Sequence, residues 1–137
     1  MKTAKRIIGD RGEKIASVFL KKNKYKIIIR NYGVRSGEID IIAWRKVPPR
    51  GKTLCFIEVK TRKFDDGSAE RATDGQKLSR LFKAARRYCL EKEIDLENTP
   101  IQFEQVSVFT ETGVCKHYII PVDWKLKIKS KILNIKI

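Results

Sequence analysis

The chain has 137 residues, 42% of them hydrophobic, and its 31 lysines and arginines against 16 acids give a formal charge of +15. That length fits one domain with enough apolar side chains for a core, and no apolar run approaches the roughly 20 residues of a membrane-spanning helix. The charge sits at the ends: residues 1–35 hold 11 basic and 2 acidic residues, residues 125–137 hold five lysines and no acid, and residues 36–124 are nearly balanced. A chain this basic is expected near polyanions, with nucleic acid, DNA first, as the partner; the bland alternative is a general charge excess that serves solubility or ribosome association. Cys55, Cys89 and Cys115 form no CxxC pair and read as core thiols of a reducing cytoplasm. The basic start lacks the apolar stretch of a secretory signal.

In chain order, residues 4–22 predict a helix with Thr3 as N-cap and with Ile8, Ile15, Phe19 and Leu20 near one face. Gly9 and Gly12 weaken it locally and predict close packing or a break near Asp10. Tyr25 to Tyr32, with three consecutive isoleucines, predicts a buried strand. Two strands follow, Glu38–Arg45 and Thr53–Arg62, joined by the turn-rich segment 46–52. Lys63 to Thr73 is polar and predicts a loop, after which Asp74 would cap a helix over 75–92. Its inward side chains are Leu78, Leu81, Phe82, Ala85 and Cys89, and its basic face carries Lys77, Arg80, Lys83, Arg86 and Arg87. Strands over 101–109 and 114–122, turning at Glu111-Thr112-Gly113, complete the order α-β-β-β-α-β-β. That order fits an α/β domain with a mixed sheet flanked by helices.

The central hairpin carries the chemistry. Alternation puts Glu38 and Asp40 on one face, opposite Ile39, Ile41 and Ala43, and puts Glu58 and Lys60 on one face of the next strand. If the turn centres between Pro49 and Arg50, Asp40 falls opposite Glu58, within one residue. Opposed acids on neighbouring strands repel each other and destabilise the sheet, so a cation is expected between them. Oxygen-only donors suit Mg²⁺ or Mn²⁺. Lys60, two residues along on the same face, could orient water or offset charge on a phosphate. An E-x-K on a strand is also common as a simple ion pair on a solvated face.

Gly9-Asp10-Arg11-Gly12-Glu13-Lys14-Ile15-Ala16, then Asn31, then Gly37-Glu38-Ile39-Asp40, then Phe56-Ile57-Glu58-Val59-Lys60-Thr61-Arg62 together resemble the YraN-like uncharacterised bacterial family. That family is similar to the Holliday junction resolvases, among the PD-(D/E)xK nucleases of restriction-endonuclease-like fold. The resemblance covers about residues 8–120. It implies a restriction-endonuclease-like sheet, Asp40 and Glu58 as metal ligands with the Val59 carbonyl as a third, Lys60 as catalytic lysine, and Glu13 as a helix-borne acid completing the site. Two positions depart from the family pattern: Lys24 stands where glycine is usual after the first helix, and Gln102-Phe103-Glu104 stands where Arg-Phe-Asp is usual.

His117 is the only histidine, which leaves little for a Ser-His-Asp or Cys-His mechanism, and no Gly-rich phosphate loop is present. The expected organisation is one nuclease-like domain, residues 1–124, and a basic extension, 125–137, whose alternating apolar and basic residues could pair with another chain, as in a homodimer, lie on nucleic acid or stay disordered. The function expected is Mg²⁺-dependent phosphodiester hydrolysis on DNA. Arg11, Arg35, Arg62, Lys77, Arg80 and Arg87 would hold the backbone. The competing expectation is a non-catalytic nucleic-acid-binding module of the same fold.

Overall fold

A computed structural model describes residues 3–35, 37–68 and 75–121. The elements are α1 (Ala4–Lys22), β1 (Lys26–Val34), β2 (Gly37–Val47), β3 (Gly51–Arg62), α2 (Gly75–Glu91), β4 (Ile101–Phe109) and β5 (Val114–Ile119). The strands form one five-stranded sheet in the order β1-β2-β3-β4-β5. Every neighbouring pair is antiparallel except β3 and β4, which run parallel and are joined through α2. The α/β architecture with a mixed sheet and flanking helices is thus as expected. The capping role of Asp74, part of the 63–73 loop and the 125–137 extension lie outside the described residues.

The two helices cover opposite faces. Ala16 and Leu20 of α1 are fully buried with Ile41, Ala43, Cys55, Ile57, Val106 and Val108. On the other face Leu81, Ala84, Ala85, Tyr88 and Cys89 of α2 pack with Ile39, Ile42, Leu54, Phe56 and Phe103. An aromatic series fills this second layer, with ring centroids 5.1 Å apart for Phe56–Phe103, 5.7 Å for Phe82–Phe103 and 6.0 Å for Phe56–Tyr88.

α1 begins as expected, Thr3 Oγ1 accepting from the Arg6 amide at 3.2 Å. It runs unbroken through both glycines. Gly12 is a packing glycine: a Cβ there would sit 2.0 Å from Thr61 Oγ1, whereas a Cβ on Gly9 would meet nothing within 4 Å. The helix ends with Lys24 at φ +71° and the Tyr25 amide donating to the Leu20 carbonyl. That is a Schellman ending whose left-handed position normally falls to glycine; here Lys24 takes it.

Two expectations are corrected. The Tyr25–Tyr32 segment is not a buried strand: β1 is an edge of the sheet, with Ile28 40% and Ile29 38% exposed around a register shift between Ile27 and Ile29. A run of three isoleucines cannot alternate, and the irregularity turns part of it to solvent. Ile39 likewise does not share a face with Ile41 and Ala43, since it packs in the α2 layer while they pack in the α1 layer. The reason lies at Asp40.

Candidate active site

The β2–β3 hairpin turns at 48–50 and pairs Val47 with Gly51 through Ile41 with Ile57, residue numbers that sum to 98. The same sum puts Asp40 opposite Glu58, as expected, but the ladder stops one step short. Asp40 Oδ2 accepts the Val59 amide hydrogen at 2.7 Å, so a side chain takes the bond that a strand carbonyl would otherwise accept. On the other side of Asp40, β1 places Asn31 between the pairs Arg30–Ile41 and Tyr32–Ile39, at φ +56°. Asparagine tolerates this left-handed conformation better than most residues. Irregular backbone on both sides of Asp40 breaks the pleat, and Ile39 and Ile41 therefore face opposite layers.

Glu58 and Lys60 follow regular alternation from Leu54 and Phe56 and face the α2 side. Lys60 Nζ lies 2.9 Å from Glu58 Oε1, and the two side chains are 10% and 17% exposed. Glu58 Oε2 is buried and, among the described residues, has no hydrogen-bond partner. Such an atom bears an uncompensated desolvation cost. Burial is also the largest influence on Asp40, pushing its carboxyl up to about 7; the Val59 amide opposes this, while Glu13, Glu58 and Glu38 add repulsion.

Glu13 enters from α1. Burial raises its pKa, Arg30 and the Asn31 side chain counter that, and Asp10 and Glu38 reinforce it. Arg30 Nη2 is 4.0 Å from Glu13 Oε2. The Asn31 side chain thus reaches the helix-borne acid, a role its place in the sequence did not reveal; Glu13 lies near enough to Asp40 to repel its charge but does not line the cleft into which the hairpin acids open. Glycines set the approach of both helices. Gly12 lets α1 close on Thr61, next to Lys60, and a Cβ on Gly37 would lie 2.1 Å from the Arg80 carbonyl oxygen of α2. The signal for Gly37 was present, a glycine directly before the acidic string, but nothing local says that a helix backbone fills the space.

The acids open into a cleft of about 780 Å³ lined by Glu38, Asp40, Glu58, Val59 and Lys60 from the hairpin, Arg35 beside it, and Lys77, Arg80 and Lys83 from α2. Of the residues expected to hold a backbone, Arg35, Lys77 and Arg80 line this cleft and Arg87 lines the adjoining one. Arg11 and Arg62 line neither; Arg11 is exposed on α1, and Arg62 bonds Ser68 Oγ at 3.1 Å and the Thr61 carbonyl at 2.9 Å. Among the described residues no three His, Cys, Asp or Glu side chains gather as a metal cluster. The donors at hand are two carboxylates, one with its buried oxygen unpartnered. That set fits a hard cation of the magnesium type, which commonly takes one or two protein carboxylates and fills its remaining positions with water and substrate phosphate.

A family model described as uncharacterised protein family UPF0102 matches residues 12–108. The chain belongs to this family. A UPF0102 protein of Koribacter versatilis is 42% identical over 106 residues, 75% of this chain and 68% of that protein. One from Syntrophomonas wolfei is 36% identical over 117 residues, covering 81% of this chain and 91% of its own length. One from Chlorobium limicola is 45% identical over 87 residues, which is 63% of this chain and 64% of the relative. The family match takes in Glu13, Gly37, Asp40, Glu58 and Lys60 together.

Proposed function

We propose that this protein is a nuclease-like enzyme that hydrolyses phosphodiester bonds in DNA with a divalent metal, of the Holliday junction resolvase type. One observation carries the reading: Asp40 and Glu58 meet where the hairpin ladder ends, in a cleft that Arg35, Lys60, Lys77, Arg80 and Lys83 also line, with a buried Glu58 oxygen lacking a hydrogen bond. A fold selected for stability alone gains nothing from acids forced together this way.

Asp40 and Glu58 would hold Mg²⁺ or Mn²⁺, with the Val59 carbonyl as the third donor that the resemblance implies. Such a cation supplies Lewis-acid chemistry, offsetting charge on the phosphate and making water more acidic near neutral pH. The protein's own groups do the rest. Val59 N–H fixes the Asp40 carboxylate, Lys60 carries its proton at Nζ toward water or phosphate entering the cleft, and Lys77, Arg80 and Arg35 attract the polyanion. Glu13, aimed by Asn31, adds negative charge near Asp40 and favours a cation there.

The non-catalytic reading also has an observation behind it, because Lys60 already neutralises one Glu58 oxygen. Cleavage of labelled four-way junction, flap and single-stranded DNA with Mg²⁺ separates the two. The enzyme reading expects cutting of at least one substrate, reduced about a hundredfold or more by Asp40→Ala and by Glu58→Ala. If both variants cut as well as wild type, the site is misassigned. If wild type cuts nothing yet binds with affinity that falls steeply as salt rises, the module reading prevails.

A further inference from the structure

The carboxylate cleft does not end at Lys83. A second cleft of about 620 Å³ shares Val34, Arg35 and Lys83 with it and continues along α2 past Arg86 and Arg87 to Leu90 and Glu91. Its charges are four cations against one carboxylate, and that carboxylate is engaged: Glu91 accepts from Arg87 Nε at 2.8 Å and from the Tyr32 hydroxyl at 3.0 Å. The pair from Glu91 leaves Arg35, Lys83 and Arg86 as the positive charge in excess. Lys83 and Arg86 stand three residues apart, on adjoining positions of one helix face.

We propose that this second cleft is a backbone-phosphate subsite, so that one strand of the DNA leaves the Asp40–Glu58 site along α2 toward its C-terminal end, between α2 and the Val34–Arg35 end of β1. The proposal rests on the reading of the first cleft as the place where DNA is cut. Lengths agree: from Lys77 to Arg86 the helix rises about 14 Å, close to four phosphate-to-phosphate steps of one strand at roughly 3.4 Å of duplex axis each. Val34 and the half-exposed Leu90 give the cleft an apolar ledge, which suits a sugar more than a free inorganic anion. Contacts of this kind position a strand without reading its sequence.

The test is anisotropy of a labelled 20-bp DNA duplex in EDTA, titrated at several salt concentrations, with a 20-nucleotide single strand as a second probe. Lys83→Gln with Arg86→Gln should weaken binding to at least one probe and lower the slope of log Kd against log salt by about two. The charge-conserving pair Lys83→Arg with Arg86→Lys should keep the slope. Lys21→Gln with Lys26→Gln removes the same charge from exposed positions away from both clefts and should leave the slope nearly as in wild type. An equal fall in both glutamine pairs, no fall in the α2 pair, or no binding by wild type overturns the subsite. Because no metal or cleavage enters the measurement, a protein that binds as expected but never cuts retains the subsite and loses only the catalytic reading.

Discussion

Asp40 shows what the candidate site costs the protein and when a cation would relieve it. Its carboxyl titrates near 7 when folded, against an ordinary value of 3.8. Between those values the folded chain keeps a proton that the unfolded chain has lost, so stability falls as pH rises from about 4 to about 7 and levels off above. At about 1.36 kcal/mol for each tenfold change in proton affinity, the penalty is on the order of a few kcal/mol. Asp40→Asn keeps an oxygen for the Val59 amide and removes the charge. In EDTA it should melt several degrees above wild type at pH 8 and close to wild type at pH 4. Millimolar Mg²⁺ should then raise the Tm of wild type at pH 8 and leave Asp40→Asn unmoved, and its effect on wild type should weaken below pH 7, where Asp40 holds its proton. Equal melting temperatures of the two proteins in EDTA at pH 8 would show that burial does not load this carboxylate.

Two glycines decide how closely the helices approach the site, and they differ in how a substitution could be relieved. Gly12→Ala gains about 1 kcal/mol of helix propensity but drives a methyl into Thr61, whose Oγ1, Cγ2 and Cβ lie 2.0–2.9 Å from it. Overpacking of this sort costs about 1–3 kcal/mol, so a net loss is expected, and Thr61→Ala should recover part of it. At Gly37 the obstacle is the Arg80 carbonyl, which no truncation removes. Gly37→Ala should lower the Tm and, by pushing α2 from the hairpin, weaken DNA binding with no side-chain rescue. Thermal melts of the four proteins decide both points; a neutral Gly37→Ala would mean that α2 can slide without consequence. These positions also mark what a sequence can and cannot tell. The hairpin register was legible because turn length and alternation are local, and α2's buried face was legible because its apolar spacing is helical. The side of the sheet taken by Ile39 was not, since it depends on Asp40 bonding to a residue nineteen positions away. Nor was the exposure of β1, because an unbroken isoleucine run fits a central strand as well as an edge.

At the scale of the whole molecule, the sheet separates two polar systems, and the second explains residues that site chemistry leaves aside. On the α1 side Glu104 is completely buried yet accepts from Tyr25 Oη at 2.5 Å and Gln102 Nε2 at 3.0 Å, and it pairs with the imidazole of His117. Arg45 Nη1 donates to the same tyrosine hydroxyl at 3.2 Å, and its guanidinium stacks over the ring at 4.9 Å. One network thus ties Tyr25, the residue before β1, to β2, β4 and β5, which is why Glu104 tolerates its burial and why the lone histidine is structural. Burial alone would raise the Glu104 pKa, but hydrogen bonds from His117, Tyr25, Cys55 and Gln102 outweigh it and hold the pKa below the ordinary carboxylate value. The stability this contributes is therefore complete above the unfolded pKa of about 4.3 and is lost as pH falls through the folded value. Glu104→Gln removes the charge that accepts from Tyr25 and Gln102 and pairs with His117, and should cost about 1–3 kcal/mol at pH 7, a deficit that shrinks as wild type is acidified below pH 4. Urea melts from pH 3 to 8 read this directly. Duplex binding by the folded fraction, measured at low temperature, should be as in wild type, because the network lies across the sheet from the basic clefts. A deficit independent of pH would show that Glu104 acts by shape and not by charge.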